Sequence, residues 1–305
     1  MMTVQKNARF RTTWSMLGCL CCLLFLPSQN LFAGGGWTLE KGEWRAELGF
    51  TYLKSDQLFN GSGAFLQLVR PVTDITMQAN VEYGLFDNLT LIGNLPFKYV
   101  ATSGEPMASN DFLDTLDAGT LARFGNARFG ARWQVLRTKA GKVLALQVMA
   151  EANTSDVNQF IGLQTGFDAW SFEPVLAFGL PFDRSYVAGH AGMAVRSNNY
   201  SEEALFVVEA GYRVTKSFWL AGVADVRWNL RNGEQDACNC AQTGLYVNNQ
   251  ASVSYGIKGW APVVGGFGIT AGAYGAVYAD RLAAAPTFNV GIYYQRKPKA
   301  AEKVL

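Results

Sequence analysis

Trp44-Arg45-Ala46-Glu47-Leu48-Gly49-Phe50-Thr51-Tyr52 alternates with a period of two. Trp44, Ala46, Leu48, Phe50 and Tyr52 make one apolar face with aromatic ends, and Arg45 and Glu47 fall on the other. The pattern returns at Ala127-Arg128-Phe129-Gly130-Ala131-Arg132-Trp133-Gln134-Val135, where Arg128 and Arg132 share the charged face. Successive side chains of a strand point to opposite faces, so each stretch is a strand with one oily and one charged surface. A soluble sandwich would put the oily face inward and leave its core free of charge. A barrel in a membrane does the reverse, with lipid outside and a polar interior.

Working outward, the alternation recurs about a dozen times. Strands are predicted to begin near residues 43, 74, 88, 125, 142, 169, 185, 204, 217, 248, 266 and 286. Twelve is an even number, as a single-chain bacterial barrel requires. Short connections at 84–88, 137–142, 181–185, 215–217 and 259–265 alternate with longer ones at 54–73, 101–124, 154–168 and 231–247. That asymmetry matches periplasmic turns and extracellular loops. Two outer connections, 197–203 and 279–285, are short exceptions. The expected fold class is therefore all-β, a transmembrane antiparallel β-barrel of about twelve strands in the bacterial outer membrane, with the lipid bilayer as its first partner.

The phase of each strand assigns side chains to faces. The inward set is Arg45, Glu47, Glu82, Lys98, Arg128, Arg132, Glu151, Glu173, His190, Arg196, Glu209, Arg213, Asp225, Arg227 and Lys258. Four strands carry two charges each, and Arg45/Glu47, Arg128/Arg132, Glu209/Arg213 and Asp225/Arg227 each keep both on one face. A charge facing lipid at mid-bilayer would cost roughly 2–4 kcal/mol, which enforces that segregation. Glu82 is expected near Arg45 and Glu47, and Glu209 near Asp225 or Arg227. Arg128, Arg132, Glu173, Glu209 and Arg227 are the candidates for a constriction. Aromatic residues Trp44, Tyr83, Trp133, Tyr212, Phe218 and Tyr255 fall near short turns, and Tyr52, Tyr99, Trp170, Phe206 and Trp228 near long loops, as two interfacial girdles would. Pro96 and Pro174 lie inside predicted strands. A closed barrel has no edge, so each is expected at a bulge or near a strand end.

The N-terminus reads as an export signal. Lys6, Arg9 and Arg11 precede an apolar stretch from Met16 to Leu26, with a cleavage region ending near Ala33. A lipoprotein reading at Leu17-Gly18-Cys19 would need the apolar stretch before the cysteine, and most of it follows. Residues 1–33 are the signal, 34–296 the barrel, and 297–305 a polar tail; Tyr293 and Tyr294 close the last strand as a signal for the outer-membrane assembly machinery. The signal removes three of the 26 basic residues and none of the 24 acidic ones, so the rest of the chain has 23 against 24. That balance implies no nucleic-acid partner.

Cys238 and Cys240 remain after the signal and suggest a small loop disulfide in an oxidising compartment. The alternative, a metal site, needs further ligands, and the chain's one histidine, His190, is remote in sequence. No cofactor motif is present. His190 as the base of a barrel-wall lipase would need a nucleophilic serine at a suitable spacing, and none flanks it. The carboxylates could be read as acid–base pairs. Interleaved with arginines on neighbouring strands, they read instead as ion-paired wall residues, and the chain as a non-enzyme.

Trp37-Thr38 with Lys41-Gly42, Tyr83-Gly84-Leu85-Phe86-Asp87-Asn88-Leu89, Leu95-Pro96-Phe97 and Gly125-Asn126-Ala127-Arg128-Phe129-Gly130-Ala131-Arg132 carry a resemblance. Over residues 37–134 the chain resembles the outer-membrane barrel family associated with the meta-pathway of phenol degradation. The resemblance implies a barrel of about twelve strands that passes small organic solutes, aromatic or organic-acid. The second reading is a non-conducting structural or adhesive barrel that acts through its extracellular loops.

Overall fold

The computed structural model describes residues 35–106, 116–234 and 242–297. The proposed signal peptide, Cys238 and Cys240, and all but the first residue of the tail lie outside the described residues. The strands are β1 (Trp44–Asn60), β2 (Phe65–Phe86), β3 (Leu89–Thr102), β4 (Gly119–Phe124), β5 (Arg128–Arg137), β6 (Val143–Glu151), β7 (Val157–Asn158), β8 (Leu163–Gln164), β9 (Ser171–Pro181), β10 (Ser185–Arg196), β11 (Glu203–Thr215), β12 (Phe218–Asn229), β13 (Ala251–Val264), β14 (Phe267–Ala283) and β15 (Thr287–Arg296). β4 and β5 act as one interrupted wall strand, and β7 and β8 form a small separate hairpin. The other elements pair antiparallel to their neighbours, and β15 pairs back with β1. The wall is a closed, twelve-stranded antiparallel barrel, and no α-helix occurs among the described residues.

Closure satisfies the backbone without water, which is what allows strands to cross a hydrocarbon layer. The outer surface is correspondingly apolar. Leu48, Phe50, Phe129, Trp133, Ile257, Ile269, Val290 and Ile292 each expose about half or more of their surface there. Their neighbours of opposite parity, including Glu47, Arg132, Asp225 and Lys258, are buried within the barrel. A chain with its apolar side chains outside and its charges inside is an outer-membrane barrel.

Three expectations need correction. The 54–73 connection is mostly strand: β1 and β2 stay paired as far as Phe59 opposite Phe65, so the turn shrinks to residues 61–64. The strand expected from 125 begins earlier, at Gly119, and breaks at 125–127. That break lies beside Pro96, where the Gly125 amide bonds the Pro96 carbonyl (2.8 Å). Pro96 therefore does sit at an irregularity. Pro174 does not. It is paired with Val148 inside β9, and the register to β10 is unchanged on both sides of it. The ladder to β10 merely lapses between Val175–Gly192 and Phe172–Val195, because proline has no N–H to give.

Residues 35–43 precede β1 and run across the short-turn end of the barrel. Trp37 is seated over Gly179, where an added Cβ would come within 2.6 Å of the indole. Leu39 N donates to Thr90 Oγ1 (2.8 Å), and Lys41 N to Asp87 Oδ1 (2.9 Å). Gln295 Nε2 on β15 donates to Glu43 Oε1 (2.8 Å).

At Leu48, midway between the aromatic Trp44 and Tyr52 on β1 and 55% exposed, substitution by arginine is expected to cost about 2–4 kcal/mol. Denaturant titration of the barrel refolded into lipid vesicles checks this; an unchanged stability would contradict an outward, lipid-facing Leu48.

Candidate functional site: a two-chambered polar lumen

Every charged residue assigned inward by parity lies on the inner surface, and the chamber geometry follows from how these charges pair. Toward the long-loop end, Arg128 meets Glu173 and, at 3.4 Å, Glu151. Arg196 binds Glu203 through both terminal nitrogens, at 2.7 and 2.9 Å. Lys98 Nζ donates to Asp74 Oδ2 (2.8 Å) and Thr76 Oγ1 (2.7 Å). Charge-assisted bonds of this kind keep buried charges from being stranded. Arg227 differs. Its nearest carboxylates are Asp225 at 3.9 Å and Glu203 at 4.0 Å, and its side chain is 31% exposed.

Toward the short turns, Arg132 pairs with Glu82 at 3.4 Å and donates to Gln147 Oε1 (2.8 Å). Arg45 stands directly opposite Glu82 across β1 and β2, as expected, and Glu47 is two residues along. Arg45 also packs on the Tyr293 ring at 4.7 Å, and Glu47 accepts from Thr270 Oγ1 (2.8 Å). Arg213, near the rim, packs on Trp219 at 5.7 Å. His190 lines the lumen beside Arg132 and Glu173.

Glu209 is not beside Asp225 or Arg227. Across β11 and β12, Asp225 stands opposite Val207, and Glu209 opposite Val223. Glu209 is held by the Tyr186 hydroxyl and by Lys258 Nζ at 2.5 Å. Lysine reaches it from two strands away because the intervening positions, Ala221 and Gly211, are small. Gly211 also makes room for the Tyr186 ring, which would lie 2.1 Å from a Cβ there.

Among the described residues, two cavities stand out in the lumen. The outer one, about 150 Å³, has charged walls from Lys98, Arg128, Arg196 and Arg227 with their carboxylates. It also has an apolar side made by Leu53, Phe167, Leu245 and Leu282. The inner one, about 70 Å³, includes Glu82, Arg132, Gln147 and His190, and the N-terminal segment reaches it at Gly35. Arg128, Glu173 and Arg227 line both, so they stand at the boundary between the chambers.

Both ends are covered. At the long-loop end, the β7–β8 hairpin and residues 242–250 interlock. Gln164 Nε2 donates to the carbonyls of Leu245 (2.6 Å) and Tyr246 (2.8 Å), and Thr243 Oγ1 to that of Gly162 (2.8 Å). Leu163 and Leu245 join Leu68, Val72, Val100 and Leu121 in an apolar cluster beneath this cover. Lumen cations also hold the loops: Arg196 lies 4.1 Å from the Phe167 ring centre and Lys98 5.1 Å from that of Tyr246. Tyr246 takes a left-handed φ of 54°, a conformation that these loop contacts hold in place. At the short-turn end, Trp37 packs edge-on to Tyr186, and Tyr186 contacts Trp219 and Trp260, which stack on each other at 5.8 Å.

Sequence parity could have found Asp74 and Glu203, which share the phase of Glu82 and Glu209. It gave no sign of the aromatic floor as a unit, or of the loop residues that roof the outer chamber. Those contacts join segments far apart in sequence.

No protein-family model matches the chain, and no curated protein matches it. Solved structures do. The outer membrane channel COG4313 from Pseudomonas putida F1 is similar over 88% of this chain and all of its own, at 15% identity and a TM-score of 0.69. The translocator domain of the autotransporter NalP from Neisseria meningitidis is similar over 84% of this chain and 90% of its own, at 10% identity and a TM-score of 0.50. These likenesses establish the fold.

Lys258→Met would leave the Glu209 carboxylate buried without its cation. A loss of about 3–5 kcal/mol is expected in equilibrium unfolding. The double variant Lys258→Met/Glu209→Gln is expected to recover most of it; equal losses in both would show that the ion pair is not the cause.

Proposed function

We propose that this barrel is a passive channel carrying small organic solutes across the outer membrane. The observation that carries the reading is the pair of chambers meeting at Arg128, Glu173 and Arg227. A barrel that served only as a wall would have no need of successive polar cavities along its axis. Twelve strands suit that role: eight-stranded barrels are filled by side chains, and barrels of sixteen or more enclose a wide aqueous channel.

Arg128, Arg132, Glu173 and Arg227 are the residues proposed to select solutes, by exchanging water of hydration for contacts with fixed charges. Glu209 leaves that set, because Tyr186 and Lys258 engage it near the inner rim. The similarity to a Pseudomonas putida protein described as an outer membrane channel supports transport. The sequence resemblance to barrels of phenol meta-pathway degradation supports an organic, aromatic or acidic solute. The apolar flank of the outer chamber agrees with a solute that has an oily body.

The interlocked loops favour a second reading, a shut barrel whose outer loops bind a partner. The two readings differ in conductance. Planar-bilayer recordings of the purified barrel are expected to show discrete channels. Removal of residues 35–39 is expected to raise unit conductance, because Trp37 and its neighbours occupy the inner mouth. Silence from both proteins would reject the channel and favour the second reading.

A further inference from the structure

Among the described cations that line the outer chamber, Arg227 alone lacks a carboxylate nearer than 3.9 Å. Lys98, Arg128 and Arg196 each have a carboxylate partner at 3.4 Å or nearer. Their side chains are 10% exposed or less, and that of Arg227 is 31% exposed. Among the described residues Arg227 has no hydrogen-bonded partner, and its two nearest carboxylates stand at 3.9 and 4.0 Å. Its donor fork is thus presented to the cavity, at the junction of the two chambers.

From this we propose that the outer chamber is a binding site for a small monocarboxylate with an apolar body, anchored by Arg227. The inference rests on the channel reading for its biological sense, though not for its geometry. A guanidinium offers two parallel N–H donors that match the two oxygens of a carboxylate. In the lining of the same chamber, Leu53, Phe167, Leu245 and Leu282 supply apolar surface for the remainder of the molecule. Such a mix of an oily wall and one or two directed polar groups is what holds and orients a small ligand. A water's share of liquid volume is about 30 Å³, so a cavity of 150 Å³ has room for about five waters, enough space for a single ring with a short substituent.

The surroundings also set the ligand's charge. Asp225 and Glu203 stand 3.9 and 4.0 Å from Arg227, Glu173 lines the same chamber, and the cations that hold Glu203 and Glu173, Arg196 and Arg128, are already committed. One carboxylate is met by Arg227. A second would face those acids with no free cation among the described lining residues to receive it, so dicarboxylates are disfavoured.

The test is calorimetric titration of the full barrel in nonionic detergent with benzoate, phthalate, benzyl alcohol, benzylamine and phenylalanine. Benzoate is expected to bind saturably. Arg227→Gln should weaken it at least tenfold, and Arg227→Lys, which keeps the charge without the fork, should fall between. Phthalate and benzyl alcohol should bind at least tenfold more weakly than benzoate. Heat-dependent gel mobility establishes that each variant is a folded barrel. Absence of benzoate binding, binding that Arg227→Gln leaves unchanged, or preference for benzylamine or phenylalanine would overturn the proposal. Conductance recorded on the same preparation separates the two ideas: Arg227-dependent binding without conductance rejects the channel and keeps the site, and conductance without such binding does the opposite.

Discussion

The barrel depends on keeping ionised groups matched inside a wall that faces hydrocarbon. Lipid outside leaves the interior as the place for charge, and a narrow interior leaves little water to solvate it. Each carboxylate brought inward therefore needs a cation close by. Arg196–Glu203, Arg128–Glu173 and Lys98–Asp74 meet that need across or along the strands. Lys258 and Glu209 meet it across an intervening strand, where Ala221 and Gly211 leave the way clear. The same pairings shape the free space. Where they close tightly the lumen is filled, and where Arg227 is left loose the two chambers share a boundary.

Much of this was legible in the sequence because strand geometry is periodic. Parity alone assigned Arg45, Glu47, Arg128 and Arg132 to the inner face, and the lipid penalty made that assignment physical rather than statistical. Pairing was less legible. Glu82 lay opposite Arg45 as expected, because adjacent strands joined by a tight turn have their register set by that turn. Glu209 did not lie near Asp225, since its partner is chosen by lateral reach over small residues, a matter of volumes on a strand two places away.

The roof and the floor were illegible for a different reason. Gln164 meets Leu245 across 81 residues, and Trp37 meets Gly141 across 104. Nothing in the local pattern of either partner anticipates the other. Pro174 belongs to the same class. Its sequence position suggested a bulge or a strand end, and the structure places it fourth in β9, with no bulge and one lapse in the ladder while the register runs on undisturbed.

The segment before β1 has a consequence for the order in which the molecule is built. Its anchors lie on β3, on the turn between β5 and β6, and on β9, with Gly36 bonding the Phe178 carbonyl and Trp37 the Gly141 carbonyl. The set of those surfaces is complete only when the chain as far as residue 178 has been laid into the wall. Glu43 adds a bond to Gln295, which requires the final strand. The first described residues of the chain thus reach their full set of contacts only when the cylinder has closed.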